Sequence, residues 1–228
     1  MKERPILFSG PMVRAILEGR KTQTRRIVKP KPYACARFGG TVWEPRGSGS
    51  DRPHYSDRNA NWNPISNAMM DFGCPHGQPG DQLWVRESYR LTDSSDCACY
   101  DACACKQGVP MYAADHEAYS SEIGPWKPSI HMPRWASRIT LEIESVRVER
   151  LNAISAEDAI AEGIRIQKGS GMIDGEDCYM MTTNSGYMRG PLGAIRAYMD
   201  LWQSINGKGS WDLNPWVWVI QFKRVEAK

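Results

Sequence analysis

The run 215–222, Pro-Trp-Val-Trp-Val-Ile-Gln-Phe, constrains this chain more than any other stretch. Its β-branched and aromatic residues are apolar at odd and even positions alike, so a strand made from it has no face to show to water. Such a strand must be buried on both sides, and one of its covers has to be a helix. The segment before it supplies a candidate. Pro191 opens a helix, Leu192, Ile195, Met199, Trp202 and Ile205 recur at helical spacing, and Gly207 stops it. A second strand is legible at 138–150, where Ile139, Leu141 and Ile143 alternate with Glu142 and Glu144. The apolar parity then moves to Val146 and Val148, which predicts a β-bulge or bend near Ser145.

Other elements follow from their punctuation. Ser9 and Pro11 open a helix carrying Met12, Ala15 and Ile16, and Gly19 closes it. Residues 26–28 and 82–89 have strand composition, the latter after the turn Pro79-Gly80-Asp81, and a short strand is expected around Met111 to Ala113. Ser155 caps a helix through Glu162, with Glu157 and Asp158 in its first turn and Gly163 at its end. The expected class is α+β, a single domain over 1–228 with two loop-rich insertions at about 33–80 and 92–137. An apolar content of 41% supports a real core. No apolar run approaches the roughly 18 residues of a membrane span, and the N-terminus lacks a signal peptide's apolar segment, so a cytoplasmic protein without membrane contact is expected. A net charge of +3 excludes a general cationic coat for nucleic acid and leaves local patches. Nothing in the sequence specifies an oligomeric state.

Chemistry concentrates behind the first helix. Residues 19–26, Gly-Arg-Lys-Thr-Gln-Thr-Arg-Arg, place four cations and two hydroxyls in eight positions. Crowding of Lys21 by Arg20, Arg25 and Arg26 disfavours a further positive charge, which would make Lys21 a base near neutral pH. Composition alone also suits a solvated basic turn or a phosphate-holding patch. Glu162 has its own peculiarity: it lies in the last turn of its helix, where the macrodipole disfavours negative charge, one turn after Asp158. Both features favour a protonated carboxyl, as a general acid requires. Seven cysteines in a chain without an export signal argue for thiols or metal rather than disulfides. Cys97, Cys99, Cys103 and Cys105 can supply four thiolates to a structural zinc, although one-residue gaps are tight, and Cys35, Cys74 and His76 are alternative ligands.

The stretch 19–26 resembles the Gly-x-Lys-x-x-[Glu/Thr]-x-Arg signature of ASCH domains, matched by Gly19, Lys21, Thr24 and Arg26. Residues 4–17 and 126–139 are similar to ASCH proteins of tailed phages and prophages. This resemblance implies a PUA-like small β-barrel with flanking helices. ASCH relatives that hydrolyse N4-acetylcytidine use a lysine, a threonine and a glutamate, which here correspond to Lys21, Thr24 and Glu162. The glutamate is carried over through the pattern of Leu151, Ile154, Ser155, Ala159 and Glu162. The implied activity is cleavage of the N4-acyl amide of a modified cytidine nucleoside or base, with Lys21 as base, Thr24 as nucleophile, Glu162 as acid and Arg26 or backbone amides at the oxyanion. It requires no cofactor. Trp84 and Tyr89 are candidates to stack the base, and Arg86 and Glu87 to bond its edge. One geometric condition accompanies the triad: positions 21 and 24 of a straight strand face opposite ways, so a turn or twist must intervene. The alternatives are a non-catalytic module for RNA or modified nucleic acid, with the same cations on phosphate, and a zinc protein of structural or regulatory role.

Overall fold

A computed structural model of the chain describes residues 1–28, 74–91, 108–116, 125–167 and 192–225, together with the backbone of four short strand segments. In chain order the elements are β1 (Glu3–Leu7), α1 (Gly10–Leu17), β2 (Gln23–Ile27), β3 (His54–Ser56), β4 (Trp62–Pro64), β5 (Gln82–Arg86), β6 (Tyr89–Leu91) and β7 (Pro110–Tyr112). They continue with β8 (Thr140–Arg150), α2 (Ala156–Ala161), β9 (Arg165–Gln167), β10 (Cys178–Met180), β11 (Met188–Arg189), α3 (Gly193–Asn206) and β12 (Trp216–Val225). The main sheet is mixed, in the order β1-β5-β8-β12-β2, with β1 and β5 parallel and the other neighbours antiparallel. Smaller sheets pair β3 with β4, β6 with β7, and β9 to β11. No ladder joins β1 to β2 among the described residues, so this sheet is not a closed barrel. Its edges still approach each other, since the Arg26 guanidinium of β2 reaches the Leu7 carbonyl of β1 at 2.7 Å.

β12 is buried on both faces, as its composition requires. Val217 and Val219 pack with Leu151, Ala159, Ala197, Tyr198 and Trp202 beneath α2 and α3. Ile220 and Phe222 belong to the other core, with Ile6, Phe8, Val13, Leu83 and Leu141. The expected bulge is present: Gln221 pairs with Ser145 and Phe222 with Ile143, leaving Glu144 as the extra residue and moving the β8 side chains to the other parity.

Three expectations need adjustment. The strand expected at 26–28 is Gln23–Ile27, because the β12 ladder runs from Val217 opposite Ile27 to Gln221 opposite Gln23. The single strand at 82–89 divides: Arg86 ends β5, and Tyr89 begins a hairpin with β7. The α3 stripe is rotated, with Leu192 and Ile205 exposed and Ala194, Ala197, Tyr198, Leu201 and Trp202 buried. Small alanines allow the helix to approach Val217 and Val219 closely, and that contact, more than the size of the aliphatics, selects the face. Of the two expected insertions, most residues lie outside the described ones, including Cys35, Cys97, Cys99, Cys103 and Cys105. What is described includes the β6–β7 hairpin and two 3₁₀ turns, Ser129–His131 and Arg134–Ala136.

The turn entering β5 is fastened to β1. Asp81 accepts the Lys2 amide at 2.8 Å, the Arg4 guanidinium at 2.8 Å and the Gln78 amide at 3.3 Å. His76 sits in this turn and is pushed down from 6.5 to about 4, first by burial and then by Arg26 and Arg4. The unfolded chain therefore binds a proton between pH about 6.5 and about 4 that the folded chain refuses, so folding stability falls as pH drops through that window. His76→Gln should flatten this fall, measured as the urea-unfolding free energy at pH 7 and pH 4.5. An unchanged pH dependence would show that His76 titrates normally.

Candidate functional site

α1, the start of β2 and the end of α2 meet at one point. Gly19, at φ 75°, lets the chain leave α1, and the Arg20 and Lys21 amides both donate to the Ala15 carbonyl. Lys21 then forms an isolated bridge with Glu162, and the Thr22 amide donates to the Ala161 carbonyl. On the other side, Ser155 caps α2 by accepting the Asp158 amide at 3.1 Å, and Glu162 is its C-cap residue. Gly163 follows at φ 102°. A Cβ there would lie 3.0 Å from the Ala15 Cβ and 3.2 Å from the Lys21 Cβ, so the close approach of α2 to Lys21 requires glycine.

The Lys21 side chain is completely buried. Its Nζ donates to Glu162 Oε2 and to the Glu162 carbonyl, each at 2.8 Å, and lies 5.6 Å from the centre of the Phe8 ring. Burial pushes the Lys21 ammonium below its ordinary value, against the pull of Glu162, and Arg26 and Arg25 add to the downward shift. The expected direction is present, but its main cause is desolvation rather than crowding by arginines. Arg20 takes little part, being turned to Glu18 and the Gly163 carbonyl.

The chain turns between Lys21 and Thr24, where a turn or twist is expected. Lys21 precedes the regular part of β2, so the alternation begins only at Gln23. Thr24 is paired with Ile220 and Arg26 with Trp218, which places both on the Phe8 side of the sheet. Arg26 lies 5.4 Å from the centre of the Phe8 ring that Lys21 also faces. Gln23 and Arg25 take the opposite face. Gln23 donates to the Asp158 carbonyl at 3.0 Å. Arg25, its side chain fully buried, donates to Glu162 Oε1 at 3.3 Å, Asp158 Oδ2 at 2.7 Å and Glu149 Oε2 at 3.2 Å.

Asp158 therefore does not confront Glu162 as a bare charge. It is held by Arg25 and by Arg147 at 2.8 Å, and although burial opposes its ionisation, these two arginines keep its carboxyl below the usual range. Glu162 joins Thr24, Arg25 and Arg26 in lining a pocket whose remaining wall includes Met12, Ile27, Tyr198, Trp202 and Asn206. The Tyr198 hydroxyl is raised well above its ordinary value, first by burial and then by Glu162.

Lys21, Thr24, Glu162 and Arg26 are thus brought together, but the four other candidates stand apart. Glu87 is buried under Arg138, which donates to its two oxygens at 3.0 and 3.1 Å, and burial raises its carboxyl. Arg86 bonds the Met132 and Ile130 carbonyls and stacks on Trp84, and Tyr89 packs with Met132 and Ala136. Trp84 and Arg86 lie on β5, Tyr89 on β6 and Glu87 between the two strands, and none of them lines the pocket. The aromatic wall comes instead from α3, which sequence periodicity assigns to the core. Arg25 was legible only as one cation of a run; strand parity, once β2 is known to start at Gln23, separates it from Arg26. Among the described residues no group of three or more His, Cys, Asp or Glu is placed to hold a metal.

Gly163→Ala should cost about 1–3 kcal/mol through its positive φ alone, with crowding against Ala15 and Lys21 added, read as a lower urea midpoint. A stability unchanged within about 0.5 kcal/mol would mean that α2 does not press on Lys21 as described. No family model, curated protein or solved structure matches this chain.

Proposed function

We propose that this chain is an amidohydrolase that cleaves the N4-acyl amide of N4-acetylcytidine-type nucleosides or bases, on a fold related to the PUA-like barrels of ASCH domains. The observation that carries this reading is the buried Lys21–Glu162 pair, with Glu162 and Thr24 both on the wall of one pocket. Moving one proton along the 2.8 Å hydrogen bond from Nζ to Oε2 turns ammonium and carboxylate into amine and acid, the form in which base and acid are both ready. Lys21 then takes the Thr24 hydroxyl proton as Oγ1 bonds to the acyl carbon. The oxyanion is met by Arg26, whose Nε is buried without a partner. Collapse breaks the bond from carbon to the exocyclic nitrogen, which takes the Glu162 proton as cytidine departs. Water, deprotonated through the same pair, hydrolyses the Thr24 ester and releases the carboxylate. The steps need no cofactor, and a zinc held by the cysteines at 97–105 would be structural.

A phosphate-binding module for RNA is the rival reading. It has less to work with, because Lys21 and Arg25 are already paired with carboxylates and Arg26 with the Leu7 carbonyl. Salt separates the two, since phosphate binding weakens steeply with ionic strength and turnover of an uncharged nucleoside does not.

Incubation of the protein with N4-acetylcytidine should release cytidine and acetate, and exhaustive chelation should leave the rate essentially intact. Lys21→Ala and Glu162→Gln should each lower turnover at least about a hundredfold. Thr24→Ser should retain substantial activity and Thr24→Val almost none, with mass spectrometry finding an acyl group on the Thr24 peptide from a slowly deacylating substrate. Absence of cytidine from the folded native chain would defeat the proposal. Thr24→Val working at more than about a tenth of the native rate would replace covalent catalysis by direct activation of water.

A further inference from the structure

Glu162 is held from two sides, and only one of its holders belongs to the signature. Lys21 occupies Oε2 at 2.8 Å, while Arg25 reaches Oε1 at the longer distance of 3.3 Å. Arg25 is stretched among three carboxylates, and its shortest contact, 2.7 Å, is to Asp158 rather than Glu162. Its side chain is fully buried, so water cannot substitute for any of these partners. Arg147 fastens the outer end of the cluster, bonding Asp158 at 2.8 Å and also Glu149.

We propose that Arg25 is a positioning residue that confines the working proton of Glu162 to Oε2 and sets the pH range of the Lys21–Glu162 pair, and that Asp158 and Glu149 moderate it by drawing its guanidinium away. This rests on the catalytic reading of the pair given above. A guanidinium is a permanent donor with no acceptor, so an oxygen that faces it does not carry the proton. Oε1 is thereby excluded, and the proton travels between Oε2 and Nζ, the direction in which acid and base exchange roles. Were Arg25 free to form two short bonds with Glu162, it would fix the carboxylate as an anion and leave Lys21 charged. Asp158, Glu149 and Arg147 prevent this by sharing the guanidinium.

The charged and titratable groups around the pair are known from each element that packs on it. Lys21, Arg25 and Arg26 come from the β2 segment, Asp158 from α2, Glu149 and Arg147 from β8, and Tyr198 from α3. Four cations, Lys21, Arg25, Arg26 and Arg147, face three carboxylates, Glu162, Asp158 and Glu149, and removing any one of these charges shifts the surroundings with a definite sign. The competent pair holds one proton. It is lost to a second proton on the acid side and to loss of its proton on the alkaline side, which gives a bell-shaped profile. Asp158→Asn makes the surroundings more positive and should move both limbs to lower pH, by about one unit on the usual scale for a charge at this range. Arg25→Gln makes them more negative and should move both limbs to higher pH, whereas Arg25→Lys, keeping the charge, should stay near the native profile with a reduced rate.

The test is the pH profile of N4-acetylcytidine hydrolysis by the native chain and these three variants, together with ¹³C NMR titration of labelled glutamate carboxyls. Glu162 would be assigned by the loss of its signal in Glu162→Gln. Asp158 is partly exposed, so Asp158→Asn should fold even where Arg25→Gln does not. Limbs that move in opposite directions in Asp158→Asn and Arg25→Gln support the proposal. Limbs that stay fixed while the rate falls, or a shift of Asp158→Asn to higher pH, overturn it. If the native chain does not hydrolyse the substrate, the activity reading fails on its own. The NMR titration then still decides whether Arg25 and Asp158 govern the proton on Glu162.

Discussion

β12 must be covered on both faces, and the rest of the site is arranged around that requirement. Its Val217 and Val219 draw α2 and α3 to one side, while Ile220 and Phe222 join β1, β5, β8 and α1 on the other. β2 lies along its edge, so alternate residues of β2 enter two different environments. Thr24 and Arg26 reach the Phe8 side, and Gln23 and Arg25 reach the acidic end of α2. A one-residue change of register would exchange the two sets and dismantle the cluster.

The buried charges are tolerable because they are shared. An isolated ammonium or guanidinium removed from water costs several kcal/mol, and a single partner returns that only with good geometry and further hydrogen bonds. Lys21 meets both a carboxylate and a carbonyl, Arg25 meets three carboxylates, and Arg147 satisfies the outer oxygens. The cluster is thus close to neutral at its centre. Replacing one member takes a partner from the charges that remain, so changes here act on stability and on protonation together.

This coupling gives α2 a double role. Its N-terminus is fixed by Ser155, its C-terminus presents Glu162 to Lys21, and Asp158 between them anchors Arg25. Three carboxyl or hydroxyl groups on one short helix therefore set its position, its charge balance and its access to the pocket. α3 completes the enclosure with Tyr198 and Trp202.

Much of this was legible in the sequence where a local rule decides the outcome. The two-sided burial of β12, the bulge at Ser145, the cap Ser155, and the stops Gly19 and Gly163 all follow from periodicity or capping. The tertiary structure alone decided which face of α3 is buried, that Trp84, Arg86, Glu87 and Tyr89 belong to another part of the molecule, and that Arg25 rather than Arg20 joins the Lys21–Glu162 pair. Those outcomes depend on contacts between residues far apart in the chain: Lys21 and Glu162 are 141 positions apart and Arg25 and Asp158 are 133. A sequence records which residues can form an ion pair, but strand register and helix approach select which of them do.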